Sequence, residues 1–214
     1  MERRAILACL LAMLPGLGYA GELVVRTLDA AGQPVADAVV TVRARSGQGE
    51  PAHAAPVQRI VDQRKLTFLP YLQAARPGDA IVFRNSDRTY HHVYSFSPVR
   101  AFDFVLGPGQ SSPPLQLEKD GVIAVGCNIH DPMIAYIYVT DAPRVAQTAA
   151  TGRVAFADLP PGDYEVRAWQ PRLRPGKPVP RQVVSVGPKA TSIDLALVLL
   201  PDPRRRVDRE RVHY

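Results

Sequence analysis

A seven-residue stretch, Cys127-Asn128-Ile129-His130-Asp131-Pro132-Met133, constrains this chain more than any other. It spaces a thiol, an imidazole and a thioether three residues apart, between two apolar runs at 122–125 and 134–139. Both runs are β-branched or aromatic, the composition of buried strands. Cys127 therefore ends one strand, His130 sits in the turn and Met133 opens the next strand. A second source of imidazole lies upstream at His91 and His92, where residues 92–97 read as a further strand, as do 80–83. A fold that uses these residues together must be a sheet structure, with strands rigid enough to hold the donors before a metal arrives.

Two His, one Cys and a weak axial Met form the ligand set of a blue-copper site. Thiolate and thioether are soft donors that suit copper and poorly suit magnesium or calcium. Zinc is the rival; it takes Cys, His or carboxylate, so Asp131 is its further candidate and Met133 has little use. Taken singly, each residue has a plainer role. A buried Cys is usually a small inert hydrophobe, a His pair is usually on the surface, and a Met in a strand is usually core. The joint pattern Cys-x2-His-x2-Met after an apolar strand favours a metal site. Strand alternation sends His91 and His92 to opposite faces, so one rigid strand offers only one of them inward.

The chain has two cysteines, Cys9 and Cys127. Cys9 falls in residues 1–20, where Arg3-Arg4, an apolar run over 5–14 and Gly18-Tyr19-Ala20 read as a signal peptide with a small-residue cleavage site. The expected location is the periplasm. The apolar run is too short to span a bilayer, so no stable membrane span is expected. A lipoprotein-like Ile6-Leu7-Ala8-Cys9 comes before the apolar region is complete. The mature chain keeps one cysteine, which has no internal partner and so needs burial or a ligand role. The formal charge is +6, falling to +5 once Arg3, Arg4 and Glu2 are removed. These charges are scattered, apart from a basic tail over 201–214 that reads as a disordered, solvated end able to dock on an acidic surface. No basic stripe with interleaved aromatics points to nucleic acid.

Turn and strand signals fill the flanks. Residues 22–28 and 36–42 read as strands around the turn 29–34, and 46–56 as a small, flexible connection. After residue 148 come strand-like segments through 156, 164–169, 182–186 and 191–199. The Pro-rich 171–180 is no central strand. No stretch outside the leader has helical periodicity, so the expected fold class is all-β.

The spacing from Asn85 to His91-x-Val93, followed by the Cys-x2-His-x2-Met loop, resembles the cupredoxins, with amicyanin nearest in loop spacing. Phe83-Arg84-Asn85-Ser86-Asp87, His91 to Pro98 and Gly126 to Met133 are similar to bacterial proteins labelled methylamine utilization protein or plastocyanin-like. The resemblance covers about residues 62–140. It implies a periplasmic copper-binding β-sandwich, one type 1-like copper ion, and His91, Cys127, His130 and Met133 as ligands, with His92 and Asp131 as further candidates. It favours His91 over His92 on spacing. In the family, an Asn close to the first ligand His ties the two ligand loops together; here Tyr90 and His92 flank that His.

The flanks, Asp29-x-x-Gly32-x-Pro34-Val35, Thr148-x-x-x-Gly152 and Leu159-Pro160-Pro161-Gly162-Asp163-Tyr164, resemble the carboxypeptidase-regulatory-like sandwich. Neither flank alone has strands enough to bury a core. The expectation is a cupredoxin-like Greek-key β-sandwich at 60–141, inserted in or beside a second small sandwich made of 21–45 plus 142–200. The rival is three serial pieces.

No Gly-x-Ser-x-Gly elbow, His-Glu-x-x-His helix or Cys-x-x-Cys-His haem motif is present. A Cys127–His130 nucleophile pair would leave Met133 and the second histidine unexplained. The expected function is a non-enzymatic electron carrier with a periplasmic redox protein as partner. The alternatives are a copper-binding or delivery module without redox turnover, and a structural adaptor with a vestigial metal site.

Overall fold

Strands alone build the described part of the chain. The computed structural model describes residues 20–46, 50–51, 54–131 and 133–204; the leader reading at 1–19 and most of the basic tail lie outside them. In chain order the strands are β1 (Gly21–Leu28), β2 (Val39–Ala44), β3 (Gln58–Gln63), β4 (Phe68–Leu69), β5 (Leu72–Ala75), β6 (Ala80–Asn85), β7 (His91–Ser95) and β8 (Phe102–Leu106). They continue with β9 (Leu115–Gln116), β10 (Gly121–Cys127), β11 (Ile134–Val139), β12 (Arg144–Gln147), β13 (Arg153–Leu159), β14 (Gly162–Trp169), β15 (Arg181–Val186) and β16 (Thr191–Ala196). Among the described residues no helix is long and apolar enough to cross a membrane.

The strands pair into four sheets, ordered β13-β1-β16, β12-β2-β14-β15, β5-β11-β10-β7-β8 and β4-β3-β6-β9. Burial follows from alternation. In β11, Ala135, Ile137 and Val139 are buried while Ile134, Tyr136 and Tyr138 are partly exposed on the other face. Three apolar cores result. One joins β1, β13 and β16 to β2, β14 and β15 through Leu23, Val25, Val40, Val42, Tyr164, Val166 and Leu197, all at most 1% exposed. A second, holding Phe83, Val93, Ile123, Val125, Ile137 and Met133, lies between the five-stranded sheet and the β4-β3-β6-β9 sheet. A third packs Tyr71, Tyr136 and Tyr138 against Val39, Val145 and Trp169. The sheets therefore stack in four layers. Strands from 21–44 pair with strands from 144–196, and everything between them folds as the other sandwich.

The junction between the sandwiches is aromatic and polar. Tyr138 stacks on Trp169 at 5.0 Å between ring centroids. Arg76 donates to the carbonyls of Ala142 and Pro143, and Gln147 to that of Leu72. Arg204 lies 4.0 Å over the Tyr71 ring and pairs with Asp202 and Asp37. The segment 201–204, read from sequence as the start of a solvated tail, is thus anchored. Glu50, in the stretch read as flexible, likewise pairs with Arg144 at 2.7 Å and accepts from the Ala44 amide.

Two differences from the sequence reading have physical reasons. The second strand begins at Val39 rather than 36, because Asp37 takes a left-handed φ of 54°. β3 escaped notice because its buried end is mixed: Asp62 and Gln63 are buried beside Val61, while Ile60 faces solvent. Asp62 is paired with Arg84 and Arg64 and accepts from the Ser86 hydroxyl.

Candidate metal centre

The first residue of β7 and the last residue of β10 meet at one end of the five-stranded sheet. Alternation along β7 turns His91, Val93 and Ser95 inward and leaves His92 and Tyr94 on the outer face. Cys127 pairs with Val93 across the sheet. The turn that follows is fixed by its own backbone: the Cys127 amide donates to the Met133 carbonyl and the Met133 amide to the His130 carbonyl. The Asn128 amide donates to the His92 carbonyl at 3.0 Å and links this turn to β7.

Three donor atoms converge there. His91 Nδ1 lies 3.7 Å from Cys127 Sγ, His130 Nδ1 lies 3.8 Å from the same sulfur, and the two nitrogens are 3.2 Å apart. His91 is fully buried, Cys127 is 4% exposed and His130 is half-buried. Among the described residues these three form the one group of His, Cys, Asp or Glu donors close enough to share an ion. The point in their plane equidistant from all three lies about 2.1 Å from each, within the ~2.0–2.3 Å that imidazole nitrogen and thiolate keep from zinc. The donors fit a trigonal His2Cys arrangement.

The surroundings of His130 favour its neutral form. Burial lowers the His130 pKa, and the neighbouring His91 lowers it further, against an opposing pull from Asp87. His91 Nε2 lies 3.0 Å from Asp87 Oδ2. The Asp87 carboxylate also accepts from the Lys65 amide at 2.5 Å and the Leu66 amide at 3.0 Å. Burial pushes its pKa up, but the two amides and His91 outweigh it and hold the carboxyl below its usual range. Lys65 and Leu66 are the two central residues of the β3–β4 hairpin, closed by an Arg64 amide to Thr67 carbonyl bond. Both have left-handed φ, 53° and 54°. Such two-residue turns ordinarily use Asn-Gly, and each non-glycine residue there costs on the order of 1–3 kcal/mol.

The other expected residues fall as follows. Met133 is 2% exposed and belongs to the same core as Cys127. His92 does not join the cluster; it points to Asp103, with Nε2 2.7 Å from Oδ1. Asp131 is exposed and stands outside the cluster. Asn85 bonds within its own loop and to the end of β8. Its amide group donates to the Thr89 and Leu106 carbonyls and its oxygen accepts from the Asp87 amide. It shapes the loop that carries Asp87 and His91. The sequence reading passed over Asp87 as a partner of His91; its signal was a carboxylate four residues before a candidate ligand.

No family model matches the chain, and no curated protein does. Solved structures with a similar fold include a Cu(I) amicyanin variant at 20% identity, covering 49% of this chain and 99% of that one with a TM-score of 0.35. An oxidized amicyanin variant matches at 21% identity over 47% of this chain and 92% of that one, also at 0.35. The copper-containing nitrite reductase of Thermus scotoductus SA-01 matches at 21% identity over 54% of this chain and 28% of that one, at 0.37.

Proposed function

We propose that this chain is a copper-binding electron carrier with a cupredoxin-like, type 1 site. The observation that carries the reading is the triangle of one sulfur and two Nδ1 atoms whose common centre lies about 2.1 Å from each donor, the distance at which such donors bind a metal. His91, Cys127 and His130 would hold the ion, with Met133 as a further, weak donor. Copper would supply a one-electron couple between Cu(I) and Cu(II). The protein's part is to keep the donors fixed through the change of charge. β7 and β10 do this by pairing directly beside the site, and the turn bonds among Cys127, His130 and Met133 hold the second ligand loop. Half-buried His130 offers the contact edge through which an electron reaches a redox protein partner. The leader reading places the chain in the periplasm. We read the β1, β2 and β12–β16 sandwich as a scaffold built around the copper unit, and the protein as a carrier rather than an enzyme.

Titration of the apo-protein with Cu(II) tests this. A thiolate in the trigonal plane gives an intense charge-transfer band toward the red end of the visible spectrum, and Cys127→Ser should abolish both the colour and most of the affinity. Stoichiometric Cu(II) binding without the band would leave plain copper or zinc binding in its place. No binding at all would leave the structural-adaptor reading.

A further inference from the structure

We propose that Asp87, held by the left-handed Lys65-Leu66 turn, is the positioning residue that fixes the tautomer of His91 and biases the site toward the higher oxidation state of its metal. The inference rests on the reading of the site as a copper centre. Its geometry is independent of that reading. Asp87 Oδ2 faces His91 Nε2 at 3.0 Å, while His91 Nδ1 faces Cys127 Sγ and His130 Nδ1. A carboxylate can only accept a hydrogen bond. Nε2 therefore carries the proton, and Nδ1 keeps its lone pair for the metal. Carboxylates bonded to the second nitrogen of a ligand histidine orient the ring and raise its basicity.

The turn explains why this carboxylate stays in place. The Lys65 and Leu66 amides both end on Asp87, and successive amides that converge this way form an anion-binding nest. Lys and Leu are poor residues for two consecutive left-handed positions. Their amides have a use that accounts for the conformation, because together they complete the coordination of a half-buried anion. A fixed negative charge beside a ligand imidazole also stabilises Cu(II) more than Cu(I), since the attraction grows with the charge on the ion.

Asp87→Asn tests the proposal in the full chain. The amide must turn an NH2 group toward either His91 or the turn, so at least one of the three bonds becomes donor against donor. Cu(II) affinity should fall ~10-fold or more, and Cu(I) affinity should fall less. Each tenfold difference between the two corresponds to a rise of about 59 mV in the reduction potential. Equal losses for both ions, with the potential unmoved, would make Asp87 merely structural and overturn the proposal, as would no change in either. A second readout needs neither copper nor a variant. Nitrogen NMR of the metal-free wild-type protein should show His91 protonated at Nε2, and the Lys65 and Leu66 amides protected from exchange. A proton on Nδ1, or unprotected amides, would overturn it even if Asp87→Asn failed to fold. A wild-type protein that lacked the visible band but showed this tautomer would sink the copper reading and leave the positioning role intact.

Discussion

One position along β7 separates a buried donor from a hydrogen-bonded side chain on the outer face. His91 is fully buried against Cys127 and His130, whereas the side chain of His92 is 25% exposed and engaged with Asp103. His91→Ala should therefore remove the charge-transfer band and weaken Cu(II) binding at least tenfold. His92→Ala should leave the band in place, shifted slightly at most. Parallel titrations of the two variants measure this, and the reverse pattern would reassign the ligand. The candidate ligands were legible in the sequence because soft-donor chemistry and spacing mark them directly. Alternation says that the two adjacent histidines diverge and does not say which one faces the core; the choice of His91 rested on the spacing of the resembled family, and His91 is the one that joins Cys127 and His130. Met133 belongs to the same buried core as Cys127. On the proposed reading it is a weak donor, which would tune potential more than affinity. Met133→Gln should retain copper and lower the potential measured by redox titration; an unchanged potential would remove the thioether from the site.

Short polar elements, rather than the apolar strands, set the frame of the sandwich that carries the His91, Cys127 and His130 cluster. Asp79, with a side chain 3% exposed, accepts from the Val57 and Arg76 amides and from Arg59. It ties the start of β6 to the chain entering β3. Burial raises its pKa, but the Val57 amide, Arg59 and the Arg76 amide outweigh that and hold the carboxyl below its usual range. A depressed folded-state value means that the stabilisation is complete above the unfolded value, near pH ~4, and is lost as pH falls through the folded one. Asp79→Asn should cost about 2 kcal/mol at pH 7, and its deficit should shrink in acid. Urea unfolding of both proteins at pH 7 and pH 3 measures this; a deficit independent of pH would mean that the charge is not what stabilises. Elements of this kind were the least legible. The strands at β1, β10, β11 and β14 announce themselves by apolar alternation. β3 hides Asp62 and Gln63, β4 and β9 are two residues long, and the Lys65-Leu66 turn carries none of the usual turn residues. β3, β9 and the turn depend on partners far away in sequence, which local pattern does not contain.

At the scale of the whole molecule, the two sandwiches meet through Trp169 and the tyrosines of β11. Trp169→Ala should cost about 2 kcal/mol, less than the ~3–5 kcal/mol of a fully buried tryptophan, and should leave the proposed copper band untouched because Trp169 packs on Tyr136 and Tyr138, on the face of β11 opposite the core that holds Cys127 and Met133. The sharper question is whether the N-terminal strands belong to the C-terminal ones. β1 lies between β13 and β16, and β2 lies between β12 and β14. Each is the inner strand on which two others depend. Deleting residues 20–45 would remove the middle of both sheets, strip Leu23, Val25, Val40 and Val42 from their core, and leave unpaired edges along β13, β16, β12 and β14. Such a chain should aggregate or lose its C-terminal half to proteolysis. Cutting the backbone at an engineered protease site among Ala54, Ala55 and Pro56, all exposed, breaks no strand pairing. The nicked protein should elute as one species in size exclusion, with both fragments present and the copper band retained. If the N-terminal fragment separates while the remainder stays folded and soluble, β1 and β2 are an appendage to a serial chain, and the scaffold built around the copper unit does not exist.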